Sequence, residues 1–192
     1  MASKRFTEAQ KRALVEIART AVVGATTGEV VRALAIVEAG PFPEASGAFV
    51  TLKREGRLRG CIGTLECRLS LPEEVARVAA SAAREDPRFQ PLHVFELEGL
   101  DVEVSILGPL EPIDPFDEHA IEIGTHGLVV EHGRRRGLLL PQVATEWGWN
   151  RETFLSQTCV KAELSPDAWR QGAKVYRFIG EVFGEEVFGP DS

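Results

Sequence analysis

Leu14, Ile17, Ala18 and Ala21 recur at helical spacing behind Thr7 and Gln10, whose side chains fit a capping box at the start of a first helix. Gly24 and Gly28 interrupt that pattern, and a second short helix is expected over 29–38, closed by Gly40-Pro41. Residues 48–54 and 57–65 alternate as two strands joined at Glu55-Gly56, a tight hairpin in which the glycine supplies a positive φ. Ser70-Leu71-Pro72-Glu73 opens a helix whose buried stripe is Val75, Val78, Ala79 and Ala82, and which stops before Asp86-Pro87. Val102, Val104 and Ile106 alternate in a strand that ends at Gly108-Pro109. A second hairpin is expected from 126–131 and 136–140 around Gly133, then a short helix from Pro141 through Trp147 with Val143 and Trp147 facing the core. Asn150 caps a helix over 151–158, Ser165-Pro166-Asp167 opens one more turn around Trp169, and 175–183 closes the chain as a strand using Val175, Phe178 and Val182. Trp147, Trp149 and Trp169 read as core residues or as an aromatic wall.

Strands and helices are mixed without regular βαβ alternation. This predicts an α+β fold, a mixed but mostly antiparallel sheet flanked by helices, in one domain over 1–192 with room for two lobes. Composition supports a packed interior, with 44% hydrophobic residues. No apolar run approaches the roughly 18–20 residues of a membrane span, and the polar start of the chain lacks a signal peptide's apolar core. The expectation is a cytoplasmic protein with no membrane partner, in which Cys61, Cys67 and Cys159 stay as thiols. A net charge of −7 speaks against general binding to duplex DNA. Abundant arginine beside five lysines and one asparagine fits heat adaptation or a GC-rich genome equally well.

The chemistry-bearing residues fall in two stretches. In the strand Leu58-Arg59-Gly60-Cys61-Ile62-Gly63, alternation predicts Leu58 and Ile62 toward the core, with Arg59 and Cys61 together on the other face opening onto a cleft. There a neighbouring cation would favour a thiolate, while Gly60 and Gly63 admit a ligand or another backbone. Cys61 equally fits the small buried hydrophobe that free cysteines often are. In the second stretch His126 is a candidate base or a loop-holding imidazole. Gln142 and Glu146 share a helix face, and Glu146 reads as an acid–base partner, a solvated charge or the ion-pair partner of Arg59. Lys161 reads as a ligand-binding cation or a favourable charge at a helix C-terminus. Arg134-Arg135-Arg136 reads as a solvated hairpin tip. The four histidines lack paired spacing, so no structural metal is expected, and no cofactor motif of the nucleotide-binding kinds occurs.

Residues 58–65 (Leu-Arg-Gly-Cys-Ile-Gly-Thr-Leu), Asp86-Pro87-Arg88-Phe89 and residues 137–144 (Gly-Leu-Leu-Leu-Pro-Gln-Val-Ala) together resemble the AMMECR domain family, whose prokaryotic members are called AmmeMemoRadiSam system protein A. Residues 103–105, 123–128, 152–155 and 159–162 extend the resemblance over about residues 7–183. It implies a two-lobed α+β domain without an assigned cofactor, working beside a Memo-like protein and a radical S-adenosylmethionine enzyme, with a pocket at Arg59, Gly60, Cys61, Ile62 and Gly63. Three functions follow. One is an enzyme using Cys61 with His126 and Glu146, its substrate held by Arg59, Gly60, Gly63, Gln142 and Lys161. The others are a non-catalytic adaptor for the two partners and an RNA- or nucleotide-binding module. Two positions depart from the family pattern: Cys67 replaces a proline or small residue, and Glu163 replaces a glycine, which questions the turn after Lys161.

Overall fold

The computed structural model describes residues 6–29 and 39–185. The elements are α1 (Glu8–Thr27), β1 (Gly47–Arg54), β2 (Arg57–Thr64), α2 (Leu71–Arg84), β3 (Leu100–Leu107), β4 (Glu111–Ile113), β5 (His126–His132), β6 (Arg135–Leu139), α3 (Pro141–Glu146), α4 (Arg151–Lys161) and β7 (Lys174–Gly184). Short 3-10 turns lie at Val94–Glu96 and Ala168–Arg170. The fold is α+β with antiparallel pairing, and the chain divides into two units, 1–107 with 181–192, and 108–180. No helix among the described residues is long and apolar enough to cross a membrane. Of the helix expected over 29–38, residues 30–38 lie outside the described residues.

In the first unit β1 lies between β2 and β3. Thr7 and Gln10 form the capping box, but α1 runs past Gly24 to a left-handed C-cap at Gly28. Ala25 packs on the core, so the apolar stripe continues where a break was expected. Leu14, Ala18 and Val22 from α1 meet Val75, Val78 and Ala79 from α2, and both sets cover the β1–β3 face of Ala48, Val50, Leu52, Val102, Val104 and Ile106. Glu55 and Gly56 both have positive φ (52° and 73°), the two-residue turn whose twist matches antiparallel strands.

β2 departs from simple alternation. Leu52 pairs with Gly60 and Lys53 with Leu58, so Arg59 is an extra residue, a bulge. The bulge shifts the phase of the strand. Ile62 packs on the core as expected, whereas Leu58, opposite Lys53, is 44% exposed.

In the second unit β7 lies between β4 and β5, and β6 is the outer strand. α4 delivers Phe154, Leu155 and Cys159 onto Leu128, Val130 and Val175. Gly137 is where α4 meets the sheet: a Cβ there would lie 2.3 Å from the Ala162 nitrogen. Trp149 and Trp169 pack with this core, but Trp147 is 71% exposed and stacks on Trp149 at 6.2 Å. α3 stops at Glu146, and Gly148 (φ 64°) turns the chain before Trp147 can be enclosed. Val182, expected to be apolar packing in β7, is also exposed.

The turn after Lys161 survives its glutamate. Glu163 N–H donates to the Val160 carbonyl (2.9 Å) and Leu164 N–H to the Cys159 carbonyl (2.9 Å), the paired bonds of a Schellman ending. Glu163 itself sits at φ 59°, a region that costs a residue with a Cβ about 1–2 kcal/mol. Glycine's greater freedom in the unfolded chain offsets part of that relief, so Glu163→Gly is expected to stabilise by about 0.5–1 kcal/mol. Urea unfolding checks this; a variant less stable than the parent would show that Glu163 is held there by contacts worth more than its strain.

Candidate functional site

The face of the first unit's sheet that α1 and α2 do not cover can be laid out from register alone. Gly63, Phe49 and Ser105 form one row across β2, β1 and β3, then Cys61, Thr51 and Glu103, then Leu58, Lys53 and Asp101. Cys61 falls on this face because its neighbour Gly60 faces the helices: a Cβ at Gly60 would lie 2.4 Å from the Ala82 carbonyl oxygen of α2. The thiol is half-buried and free. Thr51 Oγ1 donates a hydrogen bond to Cys61 Sγ at 3.3 Å, and Lys53 Nζ donates to Glu103 Oε2 at 2.9 Å. The Phe49 ring lies over Gly63, where a Cβ would come within 2.0 Å of it. Beside the charged row a cavity of about 320 Å³ opens, lined by Lys53, Asp101, Glu103, Val182 and Gly184 among others.

Two further side chains fix the thiol's backbone. Asp86 Oδ2 accepts the Cys61 N–H at 2.8 Å, and Arg88 Nη2 donates to the Cys61 carbonyl at 3.1 Å. β2 is the outer strand, and this pair occupies the main-chain groups that its edge would otherwise leave open. Arg88 also grips the buried Asp86 carboxylate through Nε (2.9 Å) and Nη2 (2.7 Å). That bidentate contact, helped by the Cys61 N–H and opposed by burial, holds the Asp86 carboxyl well below the usual carboxylate range.

Arg59 does not turn toward the thiol. Its Nε and Nη2 bind Glu96 at 2.7 and 2.9 Å, its Nη1 donates to the Gln90 carbonyl, and its guanidinium lies 5.9 Å from the centre of the Phe89 ring. Its ion-pair partner is therefore Glu96 rather than Glu146, and this contact draws the Glu96 carboxyl down to about 2. The bulge at Arg59 takes that side chain out of register with Cys61.

Of the other expected site residues, His126, Gln142, Glu146 and Lys161 lie in the second unit. His126, at the start of β5, accepts the Glu122 N–H at Nδ1 (3.0 Å), which leaves the ring proton on Nε2. Burial, with Arg177 adding to it, favours the neutral imidazole. Gln142 and Glu146 are exposed on α3, and Lys161 is exposed in the last turn of α4. Gly60 and Gly63 are the close-approach positions that the sequence suggested, but a helix backbone occupies the first and an aromatic ring the second. Sequence reasoning missed Thr51, Lys53 and Glu103, which only strand register brings beside Cys61, and the structural part of Asp86 and Arg88. Cys67, the second departure, packs toward the core, and burial pushes its thiol up. Among the described residues no three His, Cys, Asp or Glu side chains gather to hold a metal ion.

The AMMECR1 family model matches residues 15–183. A protein of Methanothermobacter thermautotrophicus is 46% identical over 182 residues, covering 91% of this chain and 94% of the relative. Protein PH0010 of Pyrococcus horikoshii is 47% identical over 152 residues, 74% of each chain. The crystal structure of that uncharacterized protein superposes with a TM-score of 0.79 at 40% identity, covering 93% of both chains.

Proposed function

Because the chain belongs to the AMMECR1 family, we propose that it is an enzyme whose site is the Cys61 face, acting in the cytoplasm beside a Memo-like protein and a radical S-adenosylmethionine enzyme. The observation that carries this reading is the pinning of Cys61. A buried carboxylate and an arginine are both engaged on the main chain of one residue whose thiol lies on the open face. Fixing a nucleophile's backbone sets the direction of its attack, which is how a protein lowers the entropic part of a barrier. Lys53 and Glu103 supply charge of both signs within the same three strands, and the neighbouring cavity gives a substrate room.

The adaptor reading has its own observation. Val94 and Phe95 are 59% and 69% exposed, on a turn anchored by the Arg59–Glu96 pair. Rigidly held, exposed apolar side chains of this kind fit a protein contact.

One experiment separates the two. The chain is incubated with its Memo-like partner and the radical enzyme under turnover conditions, and small molecules and intact proteins are followed by mass. The enzyme reading expects a product or a Cys61 adduct that disappears in Cys61→Ser. The adaptor reading expects Cys61→Ser to be silent and Phe95→Glu to abolish association measured by calorimetry.

A further inference from the structure

The sequence shows three arginines at a hairpin tip; the fold adds two lysines to them. Arg134, Arg135 and Arg136 lie at the β5–β6 turn, where His132 pairs with Arg135 and Glu131 with Arg136. Lys174 pairs with Glu131 from the β7 side. α4 ends against β6: the Lys161 carbonyl carbon would lie 2.7 Å from a Cβ at Gly137, and Arg135 Nη1 donates to the Glu163 carbonyl at 2.8 Å. Five cations thus share one end of the second unit's sheet with two carboxylates, Glu131 and Glu163. That end carries +3, so the remaining residues carry −10 of the chain's −7.

Three of these five cations are also unspent. Lys11, Arg19, Lys53, Arg59, Arg77, Arg88, Arg170 and Arg177 are each paired to a carboxylate. At the tip, among the described residues, only Arg136 is, with its Nε 3.0 Å from Glu131 Oε1. That Nε is buried without a hydrogen bond, so the contact is a charge pairing at poor angles. Arg134, Lys161 and Lys174 are exposed and have no ion pair among the described residues. Unpaired cations on an acidic molecule retain their field for a partner.

We propose that this end of the second unit is a docking surface for a short acidic segment of a partner protein. Arginine forks match carboxylates in pairs, and about three or four carboxylates would satisfy the tip. A nucleic acid is disfavoured by its length: one charge per about 3.4 Å of strand carries a polyanion beyond the tip and over the −10 remainder. The surface shares only Lys161 with the residues expected to hold a substrate and none of the Cys61 face, and peptide binding is read without turnover, so it stands or falls apart from the enzyme reading.

The probe is a fluorescein-labelled peptide of six glutamates, titrated by anisotropy at 50 mM and 300 mM salt against the full chain. Three proteins are compared: the parent, Arg134→Glu/Lys161→Glu, and Arg54→Glu/Arg57→Glu, which makes the same charge change at the other hairpin. Arg134→Ser/Lys161→Ser serves if the first double variant fails to fold. The expected result is salt-sensitive binding weakened about tenfold or more by the tip variant and less than about twofold by the control. Equal weakening by both variants, no binding to the parent at low salt, or tighter binding of a thymidine 18-mer than of the peptide would each overturn the proposal.

Discussion

Gly60→Ala is expected to lower stability by about 3 kcal/mol, the upper part of the usual range for overpacking. The added Cβ would lie 2.4 Å from the Ala82 carbonyl oxygen and 3.6 Å from the Leu52 side chain. The obstructing atom is helix backbone, so no rotamer change relieves it; α2 must lift from β2 and expose Val78, Ala79 and Ala82, which are buried against the sheet. Gly63→Ala has an even closer contact, 2.0 Å, but with the Phe49 ring, which can swing away. Its cost should be smaller, about 1–2 kcal/mol, and it should alter the wall of the Cys61 face. Urea unfolding of both variants at constant slope measures the difference. A Gly60→Ala protein as stable as the parent would mean that α2 does not press on the strand as described.

Asp86→Ala is expected to cost a similar amount, about 3 kcal/mol at pH 7. It removes the acceptor for the N–H groups of Cys61 and Arg88 and the partner of the Arg88 guanidinium. A buried N–H left unpaired costs about 1–3 kcal/mol, and hydrogen bonds to a charged group are worth about 1.5–3. Arg88 is more than half exposed, so its freed charge rehydrates and adds little. The penalty depends on pH with a definite sign. Asp86 has a folded pKa below its unfolded value of about 3.9, so its contribution is complete above that pH and drains away as the folded carboxylate protonates. Glu96, held at about 2 by Arg59, against about 4.3 unfolded, behaves the same way. The parent should therefore weaken from about pH 5 downward, and the gap between it and Asp86→Ala should narrow by pH 2–3. A gap that stays constant from pH 7 to pH 2.5 would show that Asp86 acts by packing alone.

What the sequence made legible was whatever depends on near neighbours. Capping by Thr7 and Asn150, the Glu55-Gly56 turn and the α2 stripe are contacts within a few residues, and each is found. The site was legible only in part because its geometry depends on pairing. Whether Arg59 and Leu58 follow the phase of Cys61 is set by a bulge that forms only against β1. The partner of Arg59 is 37 residues away, and no periodicity points to Glu96. Thr51 and Glu103 become neighbours of Cys61 only once three strands are in register. β4 has three residues including a proline, too short for alternation to register. Helical spacing points Trp147 inward, but its helix ends one residue earlier.

The central claim is that Cys61 is a thiol presented for chemistry, and its rate of alkylation in the native protein tests that most directly. Cys159 is fully buried, and burial pushes both its thiol and that of Cys67 up, away from the reactive thiolate. With iodoacetamide at pH 7.5, followed by peptide mass spectrometry, Cys61 should be modified about tenfold faster than Cys67 and faster still than Cys159, while all three converge in guanidinium. Cys61 reacting no faster than Cys67 in the folded chain would contradict the account and leave the face as a surface for docking alone.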